Sequence, residues 1–135
     1  MLKRVNHIGI AVRNMDEARE FWHKKFGVES PPPITEGDMQ ICMMKLGEVL
    51  VELIAPIGNK GIVAKFLEKR GEGFHHICYE VENVYSAMKE LAAKGVEIVD
   101  KEPREGAEGK IVFLHPKGTQ GVLTEIVQVR ESSTT

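Results

Sequence analysis

The 135-residue sequence contains only two cysteines, Cys42 and Cys78, one tryptophan and 6% aromatic residues. Two cysteines are too few for a disulfide framework, so both are expected as reduced thiols and the chain in the cytoplasm. No charge of one sign dominates: 18 Lys and Arg stand against 20 Asp and Glu, a formal net charge of -2. That balance leaves no electrostatic footprint for nucleic acid or an anionic membrane. The longest apolar runs reach about eight residues, far short of a membrane-spanning helix. A strand-like pattern begins almost at once, so no leader peptide is expected. CxxC, a post-strand GxGxxG and GxSxG are all missing, which removes dithiol redox, dinucleotide and hydrolase-elbow chemistry. What remains is a 42% hydrophobic, 28% charged chain of ordinary globular composition and single-domain length.

The chain repeats itself. His7-Ile-Gly-Ile-Ala-Val12 returns as His76-Ile-Cys-Tyr-Glu-Val81, an offset of 69 residues. Asn14 and Asn83, and Ala18 and Ala87, keep that offset. Leu50-Val-Glu52-Leu-Ile is matched later by Leu123-Thr-Glu125-Ile-Val. Such an ordered series points to an internal duplication.

Each half reads as strand, helix, then strands. Residues 4–12 form a β-branched strand, and Asn14 with Glu17 three residues on has the form of a capping box. Met15, Ala18, Phe21, Trp22 and Phe26 share one helical face, and Gly27 stops that helix. Short strand signals at Val28 or Val96 follow the helices, with longer ones at 39–46, 49–54, 110–115 and 121–129. The second half repeats the plan with strand 75–81, an Asn83 cap, the stripe Val84, Met88 and Leu91, and Gly95 as terminator. Gly47-Glu48 is a hairpin turn, Pro31-Pro-Pro33 a stiff loop, and the Ser132–Thr135 tail is expected to fray. A linking helix over 61–70 points Ile62, Val63, Phe66 and Leu67 inward. The fold class is therefore α+β: two tandem βαβββ modules, about 1–56 and 73–130, whose strands form one curved, cavity-enclosing mixed sheet in a single domain, 1–135.

The duplication picks out His7, Glu52, His76 and Glu125, one imidazole and one carboxylate from each half. A lone strand histidine is ordinarily a hydrogen-bonded core or rim residue, and alternation could put either glutamate in solvent. Recurrence in register favours ligands instead, since neutral surface positions have no reason to repeat. Two nitrogen and two oxygen donors suit a divalent ion such as Co, Mn, Ni, Fe or Zn. His76, and not His75, aligns with His7. His75 is expected to pack or hydrogen-bond, His23 to be inert, and Cys42 and Cys78 to act as small buried hydrophobes.

At these residues the chain resembles the vicinal oxygen chelate (glyoxalase/bleomycin resistance) superfamily. More narrowly it resembles the methylmalonyl-CoA epimerases, through Asn6–Val12, Val51–Pro56, Ile62–Leu67, Gly71–Ile77, Phe113-Leu-His-Pro-Lys117 and Gly121–Glu125. The resemblance implies a metal-dependent epimerase of an acyl-CoA substrate, a divalent ion with cobalt first, and a homodimer. It implies a proton removed from one face of the carbon between thioester and carboxylate and returned to the other. Some family members carry a base on the strand occupied here by residues 39–43. The nearest match is Gln40, which cannot abstract a proton and is retained as a substrate contact, so Glu52 and Glu125 are assigned acid and base as well as metal binding. Lys117, Lys60, Arg104 and Lys110 are candidates for CoA phosphates. The loop 106–109 is one residue shorter than the family pattern. Two rival activities remain, a glyoxalase I-type lyase and a metal-free binding protein of the same fold; an extradiol dioxygenase fits less well, because a second glutamate fills a position it needs open.

Overall fold

The computed structural model describes residues 1–131, so the tail from Ser132 onward lies outside the described residues. Eight strands and three helices follow in the order β1 Leu2–Ala11, α1 Met15–Phe26, β2 Ile34–Glu36, β3 Met39–Leu46, β4 Val49–Pro56, α2 Ile62–Arg70, β5 Gly73–Val81, α3 Val84–Ala93, β6 Arg104–Glu105, β7 Gly109–Leu114 and β8 Thr124–Val129. This is the expected α+β plan, βαβββ twice with α2 between. The chain divides into two compact units, His7–His75 and Met1–Asn6 with His76 onward, so that α2 belongs to the first and β1 gives residues to both.

In the unit of residues 7–75 the strand order is β2-β3-β4-β1, with β1 parallel to β4 and the other pairs antiparallel. Asn14 caps α1 through its side chain, which accepts the Glu17 amide at 2.9 Å. Gly27 ends the helix in the left-handed region at φ 67°, where a side chain would be strained. Beneath α1 lies a core of Val12, Met15, Cys42, Met44, Val51, Leu53 and Ala55, with Ala18 and Trp22 packed on it. The opposite face of these strands buries Ala11, Ile41 and Ile54 under Val63 and Leu67 of α2. The two-residue period of the pleat accounts for the division: alternate residues of one strand serve different cores.

The second unit repeats this economy. Its order is β1-β5-β8-β7-β6, with β5 parallel to β8 and the hairpins antiparallel. Asn83 caps α3 by accepting the Ser86 amide at 2.9 Å. Val81, Val84, Ala87, Val112, Leu114 and Ile126 form the core under α3, whereas Cys78, Ile111 and Val127 fill the other face.

Four sequence expectations are corrected. Phe21 and Phe26 are exposed, because the 12-residue helix buries only the narrower stripe of Met15, Ala18 and Trp22. Ile62 is exposed as well: it is the first helical residue of α2, before the turn that meets the sheet. No strand forms at Val28 or Val96; β2 and β6 start several residues later, after Pro31–Pro33 in one half and Pro103 in the other. Residues 121–123 stay outside β8, since Gln120 and Gly121 at φ 59° and 85° close the turn after a short 3-10 helix, Pro116–Gly118.

Candidate metal and acid–base residues

His7 sits in the middle of β1 and Glu52 in the middle of β4. The parallel register sets Gly9 directly opposite Glu52, so His7, Gly9 and Glu52 share a face, with Ala11 and Ile54 continuing it. Val51 and Leu53 point the other way into the α1 core. The pleat thus delivers a carboxylate to the face that carries His7, and it is only 6% exposed. His7 Nε2 lies 3.6 Å from Glu52 Oε1.

The other unit builds the same pair from equivalent parts. Cys78 stands opposite Glu125 in the β5–β8 ladder, and Phe113 stands opposite Glu125 on the β7 side. His76 Nε2 lies 3.4 Å from Glu125 Oε1. Both side chains are buried, at 3% and 5% exposure, and the Phe113 ring meets the His76 imidazole edge-on with centroids 5.8 Å apart.

Distances of this size decide what the pairs are suited to. A direct charge-assisted hydrogen bond runs at about 2.7–2.9 Å, shorter than either. Two ligands held about 2.1 Å from one ion stand roughly 3.0–3.4 Å apart at octahedral or tetrahedral angles. A buried carboxylate also costs several kcal/mol, of order, unless a cation compensates it. Each half therefore offers one imidazole nitrogen and one carboxylate oxygen at ligand-like spacing, and this donor set fits a divalent ion.

The other candidates fall differently. Gln40 pairs with Ala55 across the β3–β4 ladder, and Ala55 belongs to the α1 core. Gln40 is thus on the face away from Glu52, which corrects its assignment as a substrate contact. Ile41 and Met43 hold the Glu52 side of that strand, neither able to accept a proton. Lys110 is drawn to the helix side, its Nζ 3.3 Å from Tyr85 Oη, and leaves the set of candidates. Lys60 and Lys117 are exposed on connections. Arg104 projects on the Glu125 side, with its guanidinium 5.4 Å from the Phe113 ring centre. His75 packs edge-on against Phe66, with ring centroids 4.8 Å apart. His23 is exposed beside Glu29. His115 caps the 3-10 turn, its Nδ1 accepting the Lys117 amide, a role that no sequence signal marked.

The short loop 106–109 is closed tightly. The Gly106 amide donates to the Gly109 carbonyl at 2.8 Å, and Arg130 binds the carbonyls of Gly106 and Ala107. A side chain at Gly109 would run into the Gln128 carbonyl. Among the described residues no helix is long and apolar enough to cross a membrane.

Repeated strand-helix-strand modules, each ending in a carboxylate placed beside a strand histidine, define a class. Residues 6–113 match the Glyoxalase/Bleomycin resistance protein/Dioxygenase superfamily, and the chain belongs to it. Within that superfamily its relatives include the mitochondrial methylmalonyl-CoA epimerase of Bos taurus, 37% identical over 131 residues that cover 94% of this chain and 75% of that protein. The ethylmalonyl-CoA/methylmalonyl-CoA epimerase of Cereibacter sphaeroides is 38% identical, covering 96% of this chain and 100% of that one. Among solved structures, a variant of the Streptomyces coelicolor methylmalonyl-CoA epimerase in complex with 2-nitronate-propionyl-CoA superimposes with a TM-score of 0.88 and 35% identity, over 94% of this chain and 97% of that chain.

Proposed function

We propose that this chain is a metal-dependent epimerase that interconverts the (2R) and (2S) forms of methylmalonyl-CoA. The observation that carries the reading is the repeated buried pair, His7 with Glu52 and His76 with Glu125, in a chain related to epimerases over most of its length. The four side chains serve one divalent cation, with cobalt the first expectation and manganese, nickel, zinc or iron the others. A bound divalent ion supplies Lewis-acid stabilisation for the negative charge that grows on the thioester oxygen when the α-proton leaves.

The chain's own residues do the rest. Glu52 and Glu125 are the proton carriers: one removes the α-proton from one face of the carbon and the other returns a proton to the opposite face. Ile41 and Met43 of β3, on the Glu52 side, cannot take up a proton, whereas Glu36 of the neighbouring β2 lies opposite Met39 on that same face. His7 and His76 hold the ion and fix the carboxylates beside them. Arg104, Lys60 and Lys117 are the cations assigned to the anionic parts of the substrate. Because the donors are divided between the two units, we take residues 1–135 as one functional domain. A homodimer is the expected assembly, by likeness to the family. Two buried cysteines, neither in a disulfide, suit a reducing compartment, the cytoplasm.

Solvent deuterium exchange at C2 of methylmalonyl-CoA tests the reading. Exchange that a chelator abolishes and metal restores supports it. No exchange, together with turnover of the methylglyoxal–glutathione adduct, replaces it with a glyoxalase I-type lyase. No metal uptake and no turnover of either compound leaves a metal-free binding protein of this fold.

A further inference from the structure

Asp100 holds two groups at once. Its Oδ2 accepts the Phe113 amide at 2.7 Å, and its Oδ1 accepts Arg104 Nε at 3.1 Å. Asp100 is largely covered, with 16% of its side chain exposed, so this carboxylate is a fixed support for Arg104. The guanidinium is thereby laid over the Phe113 ring, 5.4 Å from its centre, a cation–π geometry. Phe113 is the direct cross-strand partner of Glu125, and its ring lies edge-on to His76. The two-residue strand β6 pairs Arg104 with Ile111, which lines the same face as Cys78 and Val127. Only Nε is used by Asp100; among the described residues the forked Nη1 and Nη2 ends take no hydrogen bond, and the side chain is 54% exposed.

We propose that Asp100 and Phe113 hold Arg104 as an anion clamp beside the His76–Glu125 pair, and that its free fork binds an anionic group of the acyl-CoA substrate. The inference deepens the epimerase reading and rests on it for the substrate class. Arg104 is the binding residue, and Asp100 is a positioning residue that acts through it. A planar fork pre-set in this way matches carboxylate or phosphate oxygens in pairs. Both chemistries occur in a malonyl thioester of coenzyme A: the carboxylate at one end and the phosphates at the other.

Calorimetric binding of malonyl-CoA, coenzyme A and malonyl-pantetheine to the metal-loaded protein separates these sources without needing turnover. Arg104→Ala is expected to weaken malonyl-CoA binding about tenfold, the loss of a charge-assisted pair. An equal loss with malonyl-pantetheine, and none with coenzyme A, assigns the fork to the carboxylate; the reverse assigns it to the phosphates. Asp100→Asn keeps an acceptor for the Phe113 amide, so its melting temperature should stay near wild type while binding weakens by a smaller factor. In the double variant Asp100→Asn should add nothing to Arg104→Ala. Wild-type affinity of Arg104→Ala for all three compounds overturns the clamp, and additive losses in the double variant overturn the positioning role of Asp100. Loss of chelator-sensitive deuterium exchange in wild-type protein, with these binding effects intact, would overturn the epimerase reading and leave the clamp standing.

Discussion

Gly9 of β1 is the direct cross-strand partner of Glu52 of β4. In the other unit Cys78 of β5 holds the corresponding place opposite Glu125 of β8. One ladder therefore has no side chain beside its glutamate, whereas the other has a buried thiol packed with Ile111 and Val127. The duplication kept the register and let the filling of the two faces diverge.

That difference predicts unequal mutants. Gly9→Val puts a branched side chain beside Glu52 and His7, so it should lower the bound metal well below one ion per chain, read by elemental analysis. Cys78→Ala removes only a sulfur from a packed face, so it should cost about 1 kcal/mol of stability and keep the metal. Full metal content in Gly9→Val would mean that the Gly9 face does not adjoin the ion.

Glu52→Gln and Glu125→Gln separate proton transfer from metal binding. An amide oxygen can still ligate, but it cannot take up the α-proton. Each variant should retain metal and lose about 10²- to 10⁴-fold in kcat, the usual worth of a positioned acid or base. Starting from each epimer in deuterated solvent should then show which glutamate serves which face. A variant that retains metal and full kcat is removed from proton transfer.

The two helix caps should behave alike, because Asn14 and Asn83 each accept one amide at 2.9 Å. Asn14→Ala and Asn83→Ala should each cost about 1 kcal/mol, lowering the melting temperature by a few degrees. Binding of malonyl-CoA should be unchanged in both.

Cys42 offers a test by pH. Burial pushes its thiol above the ordinary range, against the opposing pull of Arg19 and a hydrogen bond from Ser30. A pKa raised in the folded state means that its contribution to stability is complete below the unfolded thiol's pKa and is lost as pH rises through the folded value. Alkylation of Cys42 at pH 8, followed by mass spectrometry, should be slow in native protein and fast once urea unfolds it. Rapid native alkylation would show that the thiol is not shielded as this packing requires.

Much of the fold was legible because its signals are local. Asn14 and Asn83 announce helix starts through side chains that reach only three residues, and Gly27 announces a stop through one dihedral angle. The histidine–glutamate pairs were legible for another reason: they recur, and recurrence in register marks positions that alternation alone leaves ambiguous. Gln40 shows where that reasoning fails. Its residue type and strand were both suitable, but a shift of one residue in strand register transfers a side chain to the other face. Phe21 and Ile62 failed similarly, since periodicity gives the centre of an apolar stripe and not how wide a strip the sheet covers.

The amino-acid order by itself determined the duplication, the two capped helices, and which histidine and which glutamate recur in each half. Only the tertiary structure decided that Ile41, and not Gln40, shares the Glu52 face, and that Arg104 is fixed over Phe113 by Asp100. Caps, turns and pleat are set by neighbours along the chain, which the sequence displays. Which face a side chain joins, and which distant carboxylate holds a cation in place, depends on strand pairing between residues far apart in the chain.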